Sequence, residues 1–317
     1  MSERRFSDYT LLTARGLGMG AADVIPGVSG GTIAFITGIY EELINSIKSV
    51  NKDFFRILFS KGIPGAWKHI NGNFLLAVLS GILISIFSLA RLITWLLEVY
   101  PKLVWAFFFG LIIASALHVG KKVSEWNAGI IATMIAGTAV AAWITIATPA
   151  TTPETWWFVF LSGSIAIVAM ILPGISGSFI LLLLGKYEYM LTAVRDLDIA
   201  TIIIFAIGCM IGIVSFSNVI SWLFKKFPNG TLALLTGFML GSLNKLWPWK
   251  EIITYRISSS GEKVPLLEKS ISPMKYESIT GQDALLWQVI VFMAIGFLLI
   301  FTFDLIAARK AKANQLS

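Results

Sequence analysis

A chain of 317 residues with one cysteine, Cys209, and two histidines, His69 and His118, has little material for soft-metal or disulfide chemistry. Cys209 has no second cysteine to bridge to, and neither histidine has a Cys, His or Asp partner at ligand spacing. No metal site, disulfide framework or resident cofactor is expected. Charge is scarce as well: 14% of residues are charged, against about 25% in soluble domains. Apolar residues take its place, at 56% of the chain with a mean hydropathy of +0.79. That composition describes an integral membrane protein. The net charge of +7 then reads as loop charge that sets orientation, not as a nucleic-acid surface. The basic N-terminus is not expected to be a cleaved signal, because Arg15 interrupts its apolar stretch and no clear small-residue cleavage site is present.

About 20 apolar residues cross a bilayer as a helix, which predicts six crossings at residues 74–97, 103–119, 128–147, 199–224, 231–246 and 285–308. Four shorter segments, 10–25, 28–47, 156–172 and 175–194, flank "IPGVSGG" and "LPGISGS". Each pair either crosses as two short helices or dips in and returns. Adding 147 to the numbering lays residues 26–43 on 173–190 with eight of 18 positions identical, among them Pro26/Pro173, Ser29/Ser176, Gly38/Gly185 and Glu41/Glu188. The match resumes at an offset of 127, pairing Trp95 with Trp222 and Gly110 with Gly237. The chain therefore reads as two copies of one unit, residues 1–150 and 151–317. The first copy carries an extra basic, aromatic stretch at 48–73, expected to lie on an anionic leaflet.

Lysines and arginines gather before the first segment, in the 48–73 insertion, after residues 119 and 224, and at the C-terminus, whereas the alternate loops carry few. The positive loops belong inside. Three crossings plus a pair per copy is an odd number, so the copies are expected to be inverted. The predicted architecture is an all-α polytopic membrane protein of two inverted-topology repeats, each a broken helix pair plus three transmembrane helices, N-in and C-in. A polar excursion at 248–283 contains "IITYRI" and "SSSGEK", the pattern of an external β-hairpin.

Non-helical backbone at membrane depth is tolerated only where protein or a wet cavity surrounds it. Pro26 and Pro173 suit the end of one short helix, and Ser29 and Ser176 suit the N-cap of the next. Helix starts present free N–H groups and the positive end of the dipole, which suits phosphate. The expected anion cradle is Gly27, Ser29, Gly30, Gly31 and Thr32 with Gly174, Ser176, Gly177 and Ser178. Arg15 and Arg91, ionisable residues inside apolar segments, are candidates to pair the phosphate. Asp23 suits a proton, a cation or neutralisation of Arg15. Glu41 and Glu188 repeat twelve residues beyond each serine, about 18 Å along a continuous helix. A carboxylate near such a helix's C-terminus is unfavourable, which points to gating or coupling. A coupling ion, proton or sodium, is left open. "GVSGG" also matches a serine-nucleophile elbow, but the second copy reads "GISGS" and no histidine repeats with it. A symmetric binding site needs two caps, whereas an enzyme needs one nucleophile.

The stretches "ADVIPGVSGGTIAFITGIYEELI" and "ILPGISGSFILLLLGKYEYML" resemble the bacterial and archaeal polyprenyl-phosphate transporters over nearly the whole chain. The resemblance implies a translocase in the cytoplasmic membrane that returns undecaprenyl phosphate from the outer to the inner leaflet for cell-envelope glycan synthesis. Its partners would be that lipid and the surrounding bilayer. Two other readings remain at this point, an ion-coupled transporter of a small soluble anion and an intramembrane serine hydrolase.

Overall fold

The computed structural model describes residues 4–25, 28–257 and 263–315, so Pro26 and Gly27 lie outside the described residues. Helices dominate: α1 (Phe6–Asp23), α2 (Gly30–Ile36), α3 (Tyr40–Lys48), α4 (Lys52–His69), α5 (Gly72–Val99), α6 (Pro101–Gly120) and α7 (Ala128–Ile146). They continue as α8 (Trp156–Ile171), α9 (Gly177–Leu183), α10 (Tyr187–Arg195), α11 (Ile199–Lys226) and α12 (Pro228–Leu246). An antiparallel hairpin of β1 (Lys250–Ile257) and β2 (Lys263–Ser270) precedes α13 (Pro273–Thr280) and α14 (Leu286–Gln315).

Four helices are long and apolar enough to cross a membrane alone: α5 over Gly72–Leu89, α6, α7 and α11. The α9 and α10 pair, bent by 105°, makes a fifth candidate. Four or five spans in an otherwise helical chain make an all-α polytopic membrane protein. The segments expected at 231–246 and 285–308 do form helices, α12 and α14. The first buries Thr231, Thr236 and Ser242, and the second is apolar over Leu286–Thr302 and continues as helix to Gln315.

One expectation needs correction. The segments 28–47 and 175–194 are not continuous helices, because each divides at a glycine. Gly38 (φ 75°) and Gly185 (φ 62°) adopt the left-handed conformation that ends α2 and α9. In both, the glycine N–H and the next residue's N–H return to the last turn: Gly38 to Phe35 and Ile39 to Ala34, Gly185 to Leu182 and Lys186 to Leu181. This is the Schellman arrangement. It places Glu41 and Glu188 in the first turns of new helices, α3 and α10. The dipole argument is thereby reversed, since a carboxylate is favourable at an N-terminus, and the 18 Å reach along one helix does not exist.

Two compact units emerge, Met1–Thr94 with Thr148–Thr231, and Trp95–Ala147 with Leu232–Ser317. Each draws on both halves of the chain. In the first, α1 crosses α5 with Gly16 against the Val78 carbonyl and Gly81 against that of Thr13. The same crossing recurs between α8 and α11, with Gly163 against Phe205 and Gly208 against Phe160. A Cβ at any of these glycines would collide with backbone, so small residues here let the helices touch. In the second unit, α6 meets α14 through Gly110 against Met293 and Gly296 against Phe107. Helix α12 meets α7 the same way, through Gly237 against Met134 and Gly137 against Leu234. The repeat thus continues into α7 and α14 at a third offset of 159, from Met134 to Met293 and from Gly137 to Gly296.

The hairpin is fastened within the second unit by Glu268, which accepts from Lys245 at 3.0 Å and Lys250 at 3.4 Å. Lys250 also donates to the Lys245 carbonyl and lies 5.1 Å over the Trp105 ring. Burial, reinforced by Lys245 and opposed by Glu268, pushes the Lys250 ammonium down to about 8. Burial opposes ionisation of Glu268 too, but the two lysines hold its carboxyl below the usual range. Helix α4, the extra segment of the first copy, turns at Gly62 and leaves Phe55, Phe59 and Ile63 exposed beside Lys52, Arg56 and Lys61.

Candidate functional site

The two backbone breaks meet inside the first unit. Ser29, the N-cap of α2, has extended backbone, and its hydroxyl accepts the Gly31 N–H at 3.0 Å. The same hydroxyl donates to the Met170 carbonyl, at the end of α8, at 2.6 Å. Thr32 adds a second connection by accepting the Gly174 N–H at 3.0 Å. Ser29 and Thr32 have no exposed surface, and Gly31 packs so closely on the Ile171 carbonyl that a side chain would collide with it. Side chains of the first break therefore satisfy backbone groups of the second, as buried polar backbone requires.

The two helix starts differ. On α2, the Gly30 N–H donates to Asp23 Oδ1 at 2.7 Å, so a carboxylate of the chain sits where an anion would bind. On α9, Ser176 is the N-cap but does not accept from the helix, and its hydroxyl instead lies 3.0 Å from that of Ser178. Asp23 plus 147 is Met170, so the second copy has no acid to take that place. Pro173 follows the end of α8, whose C-cap is Leu172, and Gly177 packs on the Ala166 carbonyl.

Beside the breaks lies a cavity of about 510 Å³ whose walls come from α1, α2, α3, α5, α8 and α11. Met19, Val78, Ile82, Ile167 and Ile213 are among its lining residues, and Asp23 is the one charged group among those described. Leu79 on α5 and Met210 on α11 line it while being 53% and 60% exposed, so the cavity reaches the outer faces of two membrane-length helices.

The structure brings together Asp23, Ser29, Gly30, Gly31, Thr32, Gly174, Ser176, Gly177 and Ser178. It does not bring the two arginines to the cavity wall. Arg15 precedes Asp23 by eight residues on α1, about 12 Å, and its charged neighbours are Arg4 and Glu42. Arg4 in turn pairs with Glu42 at 2.6 Å. Arg91 is exposed on α5, nine residues beyond the lining residue Ile82. Glu41 is exposed, and neither it nor Glu188 lines the cavity.

Sequence reading missed two residues. Tyr40 lines the cavity, is 2% exposed, and its hydroxyl has no hydrogen-bond partner among the described residues; Phe35 and Phe224 hold the ring at 5.0 and 6.2 Å. Its repetition as Tyr187 was the available signal. Lys186 is 1% exposed at the α9 and α10 bend, donates to the Thr152 carbonyl at 3.1 Å, and faces the Phe158 and Tyr189 rings. A lysine beside "LLLL" was an equally visible signal.

Cross-braced helix breaks opening on the lipid-facing surface of a polytopic helical protein define a membrane protein with a non-helical centre of the kind transporters use. The undecaprenyl phosphate translocase-like family matches residues 19–264, and the chain belongs to it. It is 47% identical to a Vibrio cholerae protein named polyprenyl-phosphate transporter, over 92% of this chain and 96% of that protein. A Staphylococcus aureus protein of the same name is 31% identical over 74% of this chain and 84% of its own length. No solved structure matches significantly.

Proposed function

We propose that this protein carries a polyprenyl phosphate, undecaprenyl phosphate in the first instance, across the bacterial cytoplasmic membrane and returns it to the inner leaflet. The observation that supports the reading best is the pairing of two buried helix breaks with an apolar cavity that reaches the outer faces of α5 and α11. A lipid phosphate has a small anionic head and a long apolar chain. Such a substrate needs a polar seat for the head and a lateral outlet for the chain, while a soluble anion needs a closed hydrophilic path.

On this reading the phosphate is held where α2 and α9 begin. The start of α9 has no side-chain cap. At the start of α2 the phosphate takes over the Gly30 N–H from Asp23, so departure of that carboxylate is the gating step. Arg15, about 12 Å from Asp23 along α1, and Arg91, about 14 Å from the lining residue Ile82 along α5, attract the head at the two approaches. The two copies are inverted, with both termini inside, and their rocking exposes the seat to each leaflet in turn. Glu41 and Glu188, at the starts of equivalent helices, respond to that motion.

Reconstituted vesicles loaded with labelled undecaprenyl phosphate test this reading. Ser29→Ala combined with Ser176→Ala, and separately Arg15→Ala, are expected to slow uptake. Undiminished uptake by all of them would refute the site.

A further inference from the structure

Resting on that reading, we propose that the 510 Å³ cavity takes the isoprenoid chain next to the phosphate and is what distinguishes a polyprenyl phosphate from other lipid phosphates. Among the described residues no lysine, arginine or histidine lines it, and the one charged lining group is the carboxylate of Asp23. A phosphate entering there would lose its water with no cation to replace it. An uncharged chain meets no such barrier.

The shape of the wall agrees. Tyr40, Leu43, Ile47 and Val50 recur at spacings of three and four, so one face of α3 and the residues just past it run along the cavity for about 15 Å. Other parts of the wall are Val78 and Ile82 of α5 with Ile213 and Val214 of α11, branched side chains with few rotamers and therefore a fixed contour. Methionines 19, 170 and 210 supply the adaptable part. Met170 connects the two regions, since its carbonyl accepts from Ser29 while the residue also lines the cavity. A chain attached to a phosphate at the breaks can therefore run past Met170 and leave between Leu79 and Met210 without crossing a polar surface. Fixed branched walls favour a methyl-branched unsaturated chain over a straight saturated one.

The test is competition against bound long-chain polyprenyl phosphate by farnesyl phosphate and by hexadecyl phosphate, using the full-length protein in vesicles. Wild type is expected to prefer farnesyl phosphate by about tenfold, the scale of one or two methylene contacts. Ile82→Trp and Ile213→Trp, which fill the cavity from different helices, are expected to bring the two competitors within about twofold, with melting midpoints checking that each variant is folded. Ile82→Ala, which widens the cavity without a clash, is expected to reduce the preference as well. A preference that survives all three substitutions, or a wild type without one, overturns the proposal while leaving polyprenyl phosphate transport standing. So does an ordinary phospholipid that copurifies with wild type, is lost from the tryptophan variants, and is not displaced by farnesyl phosphate. Failure of wild type to bind polyprenyl phosphate at all is a different result and defeats the transport reading itself.

Discussion

Replacing Gly31 by alanine adds a methyl group at the closest approach of the two breaks. That carbon would stand 2.8 Å from the Ile171 carbonyl carbon, 3.1 Å from the Met170 carbonyl oxygen, and closer still to the Ile171 oxygen. All three are backbone atoms, so no side chain can swing away. Carbon contacts settle at about 3.5–4.0 Å, which requires the facing segments to part by about 0.7 Å or more. The Ser29 to Met170 bond of 2.6 Å and the Gly174 to Thr32 bond of 3.0 Å then stretch toward or past the limit of a hydrogen bond. Overpacking and two weakened buried bonds together cost about 2–4 kcal/mol. Gly38→Ala is the matched control: nothing lies within 4 Å of its added carbon, so the penalty is conformational alone, about 1–2 kcal/mol. Melting midpoints in detergent and uptake in vesicles are the assays. Gly31→Ala is expected to melt earlier than Gly38→Ala and to lose most transport. A Gly31→Ala protein that melts and transports like wild type would show that the breaks do not depend on each other.

Asp23→Asn keeps an oxygen for the Gly30 N–H and is expected to hold the wild-type melting midpoint, whereas Asp23→Ala leaves that buried donor unpaired and lowers it. With the competing charge gone, Asp23→Asn is also expected to bind polyprenyl phosphate more tightly; weaker binding would remove Asp23 from the gating step. The Lys250 ammonium titrates near 8 in the folded protein against an ordinary 10.5. The unfolded chain therefore binds more protons between those values, and this residue's contribution to stability rises with pH across that window. Thermal melts of wild type and Lys250→Gln at pH 7.5 and 10 are expected to show the upward trend in wild type alone, and parallel curves would contradict the burial argument.

Much of this was legible in the chain because it was written twice. The breaks at "PGVSGG" and "PGISGS" were visible as a repeat, and their meeting in one unit follows from the need to satisfy backbone in lipid. Membership of the polyprenyl-phosphate transporter group was equally visible in the first motif. The bends were not: Gly38 and Gly185 looked like ordinary repeated glycines, and a left-handed helix end shows only in the two N–H groups that turn back. That oversight carried Glu41 and Glu188 to the wrong end of a helix. Asp23 was recognised as an acid near a break, but its bond to Gly30 spans seven residues of partly non-helical chain, beyond any periodic pattern. Arg15 and Arg91 were chosen for their charge, and charge alone says nothing of height along a helix.

The exchange of partners in the second unit also governs how the protein can be made. Gly110 of α6 waits for the carbonyl of Met293, and 182 residues lie between the two in the chain. Until then α6 stands in the bilayer with its notch unfilled, while α7 gains α12 much sooner. Cutting the chain between the copies would leave neither half with the α6 and α14 crossing or the α7 and α12 crossing. Two such halves complete one another only by trading helices.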